Sequence, residues 1–207
     1  MITADYRSRD VWLPPLAAIL VVLALGAGGE PVREALRYDA AAIHAGQWWR
    51  LLTANWVHMG WWHLFLNEVG IVVLVLLCPE RLPWPVWARR LLLIGTGMCV
   101  CLYFFVPRVQ WYVGMSGLIH GLFVLGLVPL VRRRDFIAAV CLAYLVGKIG
   151  WEMVAGVPIS DEKAIGGSVL VESHLYGVLS ALAYGAVFRA FSGNETFRFL
   201  QKDKAAA

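Results

Sequence analysis

The stretch Gly114–Arg134, GMSGLIHGLFVLGLVPLVRRR, decides how the rest of the chain is read. Past His120 it carries no strongly polar side chain until three consecutive arginines stop it at Arg132. Neither the alternation of a half-buried strand nor the one-sided stripe of an amphipathic helix runs through it. A helix that is apolar all round belongs in a large core or in lipid. Its polar residues, Ser116 and His120, sit together at one end.

Five further apolar blocks accompany it. Spans are expected over residues 12–28, 61–78, 90–106, 116–131, 136–155 and 174–191. Several are shorter than the ~20 residues of an untilted crossing. Composition agrees, since 60% of the 207 residues are hydrophobic, 15% are charged and the mean hydropathy is +0.67. A soluble domain of this length could not bury so much apolar surface. The expected fold class is therefore an all-α integral membrane protein, one domain over 1–207. It is a six-helix bundle with an interfacial first loop over 30–60. The first block lacks a small-residue cleavage site and is followed by Glu30 and Arg33, so it reads as a retained span. Cys78, Cys99, Cys101 and Cys141 all lie inside apolar blocks and read as small hydrophobes.

The net charge of +4 reflects residues flanking spans, not a nucleic-acid surface. With six spans both termini share one side. That side collects Arg7, Arg9, Arg81, Arg89, Arg90, Arg132–Arg134, Arg189, Arg198, Lys202 and Lys204. The other side has only Arg33, Arg37, Arg50, Arg108 and Lys163. Positive-inside bias places the termini in the cytoplasm. Trp48, Trp49, Trp56, Trp61 and Trp62 are half of the ten tryptophans and put the first loop at headgroup level on the outer side.

Ser116, His174 and the group His58, His63 and Asn67 then approach the outer ends of three different spans. Polar groups inside a bilayer are costly and usually mark function, and scattered structural histidines have no reason to agree in depth. Ser116 opens a helix, where free backbone N–H groups can stabilise an oxyanion. Gly114, in the same Gly-x-Ser-Gly run, joins that oxyanion-side set. Gly117 and Gly121 form a small-residue stripe at i, i+4, and Gly177, Ala181 and Gly185 form a second. Such faces allow close helix approach. Packed together, they bring Ser116 to His174, as nucleophilic catalysis requires. His63 and Asn67 share one helical face and can both donate to an oxyanion. His120 lies one turn below Ser116 and can stack on or hydrogen-bond to His174. No acid is placed as a third member, Glu172 being read as a loop residue, so a Ser-His dyad is expected.

The run Trp49-Arg50…His58-Met-Gly-Trp-Trp-His63-Leu-Phe-Leu-Asn67, then Gly-Met-Ser116-Gly, then His174-Leu-Tyr-Gly177 resembles the rhomboid proteases over nearly the whole chain. The resemblance implies an intramembrane serine endopeptidase without cofactor or metal. Ser116 would attack, His174 would take the proton, and His63 and Asn67 would bind the oxyanion. It also implies an inner-membrane enzyme with its site open to the periplasm. His120 stands where bacterial rhomboids usually carry a tyrosine, and Ala181 stands where the last motif usually ends in glycine. With the bare six-span core and the run Lys148-Ile-Gly-Trp-Glu152, these features look like the rhombosortase branch. That branch implies substrates with a C-terminal sorting tail: a Gly-Gly motif, one hydrophobic span and a basic cluster.

Lys148 and Glu152 are at i, i+4 in the fifth block, so pairing would offset their burial. The pair reads equally as a structural tie or a substrate contact. His58 is expected to brace the first loop by hydrogen bonds. A zinc site at His58, His63 and Glu68 is the chemical rival, but no His-Glu-x-x-His is present and His58 and His63 fall on different faces. A general rhomboid protease and a non-catalytic rhomboid-like chaperone are the alternative functions. The segment 157–172, with Asp161, Glu162 and Gly166-Gly167, is placed to cap the site. Partners are expected to be transmembrane substrates and lipid, not nucleic acid.

Overall fold

A computed structural model of the protein describes residues 9–159 and 161–192. Among the basic residues used to orient the chain, Arg7, Arg198, Lys202 and Lys204 lie outside the described residues.

The helices run in the order α1 (Arg9–Ala27), α2 (Gly29–Leu36), α3 (Ala40–His44), α4 (Arg50–Thr53), α5 (Trp61–Leu77), α6 (Trp84–Phe105), α7 (Ser116–Arg132), α8 (Phe136–Ala155), α9 (Glu162–Ile165) and α10 (Val171–Phe188). Helices α1, α5, α6, α7, α8 and α10 overlap the six apolar blocks, with shifted ends. Helix α6 begins six residues earlier than expected, because Pro83 and Pro85 favour the fixed φ of a first turn instead of breaking one. Helix α10 begins three residues earlier, at Val171, which moves Glu172 out of the loop and into its first turn. Helix α8 starts at 136 as expected, because the Asp135 side chain accepts a hydrogen bond from Ala138 N at 3.0 Å. Gly156 closes it in the left-handed conformation, with φ of 68°.

Two helices, α6 and α8, are long and apolar enough to cross a membrane alone. Two bent pairs each pass the same test together: Val11–Ala27 with Gly29–Leu36, and Arg50–Trp56 with Trp61–Leu77. Helix α7 is apolar but shorter. It is also the centre of the bundle. Its residues Gly117, Leu118, Ile119, Gly121, Leu122 and Val124–Leu127 are buried, and it packs on α10, α8, α5 and α6. Burial on every side explains why α7 carries no polar face.

The first loop is not featureless. Its strand β1 (Tyr38–Asp39) pairs antiparallel with β2 (Trp111–Tyr112), with Tyr38 opposite Tyr112. The ladder ties this loop to the segment that leads into Ser116. Trp48, Trp49, Trp61 and Trp62 are exposed. At the opposite ends of the helices, Arg89 lies 4.2 Å from the Phe188 ring centroid. Arg90 is buried and paired with Glu80 at 2.6 Å. Arg90 is thus a packed ion-pair partner as well as a flanking charge.

Candidate active site

Helices α7 and α10 meet along the two small-residue stripes. A methyl group built on Gly121 would stand 2.5 Å from the carbonyl oxygen of Gly177 and 3.1 Å from Ala181 Cβ. One built on Gly177 would overlap the carbonyl of Gly117. The backbones touch, so side chains one turn above the contact are also held close. Ser116 Oγ lies 3.1 Å from His174 Nε2.

The face of His174 is covered by His120, whose ring is stacked at 4.2 Å with an interplanar angle of 19°. His120 Nδ1 also lies 2.7 Å from the Ser116 carbonyl oxygen, which fixes that ring to its own helix. The remaining nitrogen of His174 faces α8. Its Nδ1 is 2.7 Å from Glu152 Oε2 and 3.3 Å from Lys148 Nζ. The Lys148–Glu152 pair expected from spacing is present at 2.7 Å. Its contact with the histidine was not legible, because residues 152 and 174 lie on different helices. Glu172, by contrast, pairs with Arg108 at the cleft mouth.

Other expected members are arranged differently from their sequence reading. Asn67 Nδ2 donates to the backbone carbonyl of His63 at 2.8 Å, the local back-bond that short polar side chains make in helices. His63 lines the same cleft as Ser116. Gly114 N–H donates to the carbonyl of Ala54 at 3.1 Å, so it is not a free oxyanion donor. What Gly114 supplies is room, since a Cβ there would stand 2.7 Å from His63 Cε1. Its φ of +115° also disfavours any L side chain. Gly114→Ala is therefore expected to destabilise the protein by ~1–3 kcal/mol, read as a lowered thermal midpoint in detergent. His58 meets His63 edge-on at 5.0 Å, and neither of its ring nitrogens has a hydrogen-bond partner among the described residues. It braces the loop by ring packing instead of the expected hydrogen bonds.

Above Ser116 opens a cleft of about 440 Å³, walled by Tyr112, Val113, Leu170 and Ser173 and rimmed by Arg108 and Ser168. Ser116 opens α7 at the floor of this cleft, and the first N–H groups of a helix have no carbonyl partner within it. A hydroxyl beside an imidazole, under a partly polar cleft, is an arrangement fit for acyl transfer. A family model, the Rhomboid domain, matches residues 45–191.

The chain belongs to the rhomboid family.

The matched region runs from the first loop through α10 and contains every site residue described above. Rhomboid proteins are membrane-embedded, the family consists in general of intramembrane serine proteases, and these act on transmembrane substrates. No curated protein matches the chain.

Proposed function

We propose that this rhomboid is an active intramembrane serine endopeptidase, with Ser116 as nucleophile and His174 as general base. The observation that carries the reading is the 3.1 Å approach of Ser116 Oγ to His174 Nε2 at the base of an open cleft. Nε2 takes the hydroxyl proton as Oγ bonds to the scissile carbonyl carbon. The resulting oxyanion is stabilised by first-turn N–H groups of α7, with His63 and a reoriented Asn67 as side-chain donors. His174 then returns the proton to the leaving amine as the C–N bond breaks. Water, or another nucleophile, cleaves the ester. No cofactor or metal enters.

The coincidence of α1, α5, α6, α7, α8 and α10 with the six apolar blocks, and the charge distribution, support six spans with both termini cytoplasmic and the cleft facing the periplasm, in a bacterial inner membrane. His120 in place of tyrosine, together with the Lys148–Glu152 pair, supports the rhombosortase branch. On that reading the substrate is an exported protein whose C-terminal Gly-Gly sorting tail is removed near its outer end.

The test is labelling of the detergent-solubilised protein with a biotinylated fluorophosphonate, followed by peptide mapping. The expected result is one adduct on Ser116. Folded protein that forms no adduct, and cleaves no single-span substrate, would overturn the protease reading in favour of a non-catalytic chaperone. Equal cleavage of a Gly-Gly-tailed substrate and an ordinary single-span substrate would replace the sorting role with general rhomboid activity.

A further inference from the structure

A fully buried carboxylate in a membrane helix needs an account beyond packing. Glu152 is 0% exposed, in a chain whose apolar surroundings cannot solvate it. Both of its oxygens are engaged. Oε1 accepts from Lys148 Nζ at 2.7 Å and from Ile159 N at 3.4 Å. Oε2 faces His174 Nδ1 at 2.7 Å, a distance typical of a charge-assisted bond.

This geometry decides the tautomer of the histidine. An ammonium has only donors, so Lys148 cannot accept a proton from Nδ1, whereas an ionised carboxylate has only acceptors. Nδ1 therefore carries the hydrogen and donates it to Glu152. Nε2 is left with a lone pair, and it is Nε2 that faces Ser116. Four groups among the described residues meet the His174 ring: Ser116 and the stacked His120 from α7, and Lys148 and Glu152 from α8. Glu152 holds the ring edge while His120 holds its face.

We propose that Glu152 is a positioning residue that converts the Ser116–His174 pair into a Ser-His-Glu triad, with Lys148 as its counter-charge. The proposal rests on the protease reading above. In the resting site the Lys148 and Glu152 charges cancel. When His174 takes the Ser116 proton, the new imidazolium is bonded to a carboxylate already aimed at it, so the site needs no rearrangement in the transition state.

The experiment uses the full chain in detergent and compares wild type, Glu152→Gln, Glu152→Asp and the double variant Lys148→Met/Glu152→Gln. The double variant removes both charges and keeps the test open if Glu152→Gln leaves Lys148 unpaired and unfolds. Glu152→Gln is expected to lower kcat and the fluorophosphonate labelling rate about 10²-fold, with KM within about 2-fold, the pattern of an interaction made in the transition state. The double variant should show the same loss while remaining folded. Glu152→Asp should recover about 10-fold over Glu152→Gln. A second readout does not depend on turnover: histidine ¹⁵N shifts should report the Nδ1–H tautomer of His174 in wild type and a different state in Glu152→Gln. Wild-type kcat in the double variant, or an unchanged tautomer in Glu152→Gln, would overturn the proposal. Wild type that shows the Nδ1–H tautomer but never labels would instead sink the protease reading and leave the tether standing.

Discussion

Ser116→Ala and His174→Ala are each expected to lower kcat about 10⁵- to 10⁶-fold, and the double replacement no further. The reasoning concerns groups that act as a unit. An alanine at 116 leaves no nucleophile, and an alanine at 174 leaves a hydroxyl without the imidazole that would take its proton as a base. Once either partner is gone, the other has nothing to act on, so the losses do not add. Residual cleavage over solvent would come from binding in the cleft and the α7 N–H groups, neither of which the replacements touch. Kinetics with a single-span substrate in detergent or liposomes, at matched folded concentration, would check this. A single variant within tenfold of wild type, or a double variant far below both singles, would mean that the two residues work independently. Truncation of either side chain should not disturb the fold, because α7 and α10 are held by glycine contacts below the pair.

Those contacts explain why so much of the site could be read from sequence. Ser116 and His174 each precede a small-residue stripe in the same helix, and the stripes themselves require close packing. Local spacing therefore carried long-range information about which helices touch. His120 was legible for the same reason, being one turn from Ser116. Lys148 and Glu152 were legible as a pair through their i, i+4 spacing, but only as far as their own helix. Nothing in the α8 sequence says which partner its buried acid faces. The bond from Glu152 to His174 depends on how α8 leans against α7 and α10, which is set by side-chain volumes across three helices. The same limit applies to Asn67 and Gly114. Spacing placed them near the site, but hydrogen bonds to the carbonyls of His63 and Ala54 decide where their N–H groups point. Glu172 was misread through a helix boundary three residues off, the least certain feature of any sequence reading.

Gly177→Leu is expected to lower activity at least about 10³-fold and to destabilise the folded bundle, although residue 177 touches no substrate. A side chain there has nowhere to go. Its first carbon would overlap the carbonyl oxygen of Gly117 and stand 2.5 Å from that residue's carbonyl carbon. Backbone cannot rotate aside as a flexible side chain can, so α7 and α10 must separate. Overpacking of this kind costs typically ~1–3 kcal/mol and more where no rotamer fits. The separation also acts one turn higher, where it stretches the 3.1 Å gap between Ser116 and His174. A displacement of about 1 Å at a catalytic pair costs about 10²-fold, and leucine imposes more than that. Gly177→Ala provides the graded case, with the same direction and a smaller loss. Ala181 gives the internal comparison: it already carries a methyl group in the same stripe, 3.1 Å from a Cβ built on Gly121, so the helices diverge enough there to admit one. Ala181→Gly should accordingly leave activity within about 3-fold, costing the propensity difference of ~1 kcal/mol together with the loss of one buried methyl group. Parallel loss of labelling and thermal midpoint in Gly177→Leu, with Ala181→Gly near wild type in both, would locate the constraint at 177. If Gly177→Leu labelled at the wild-type rate, the close approach of α7 and α10 would not be what holds serine to histidine.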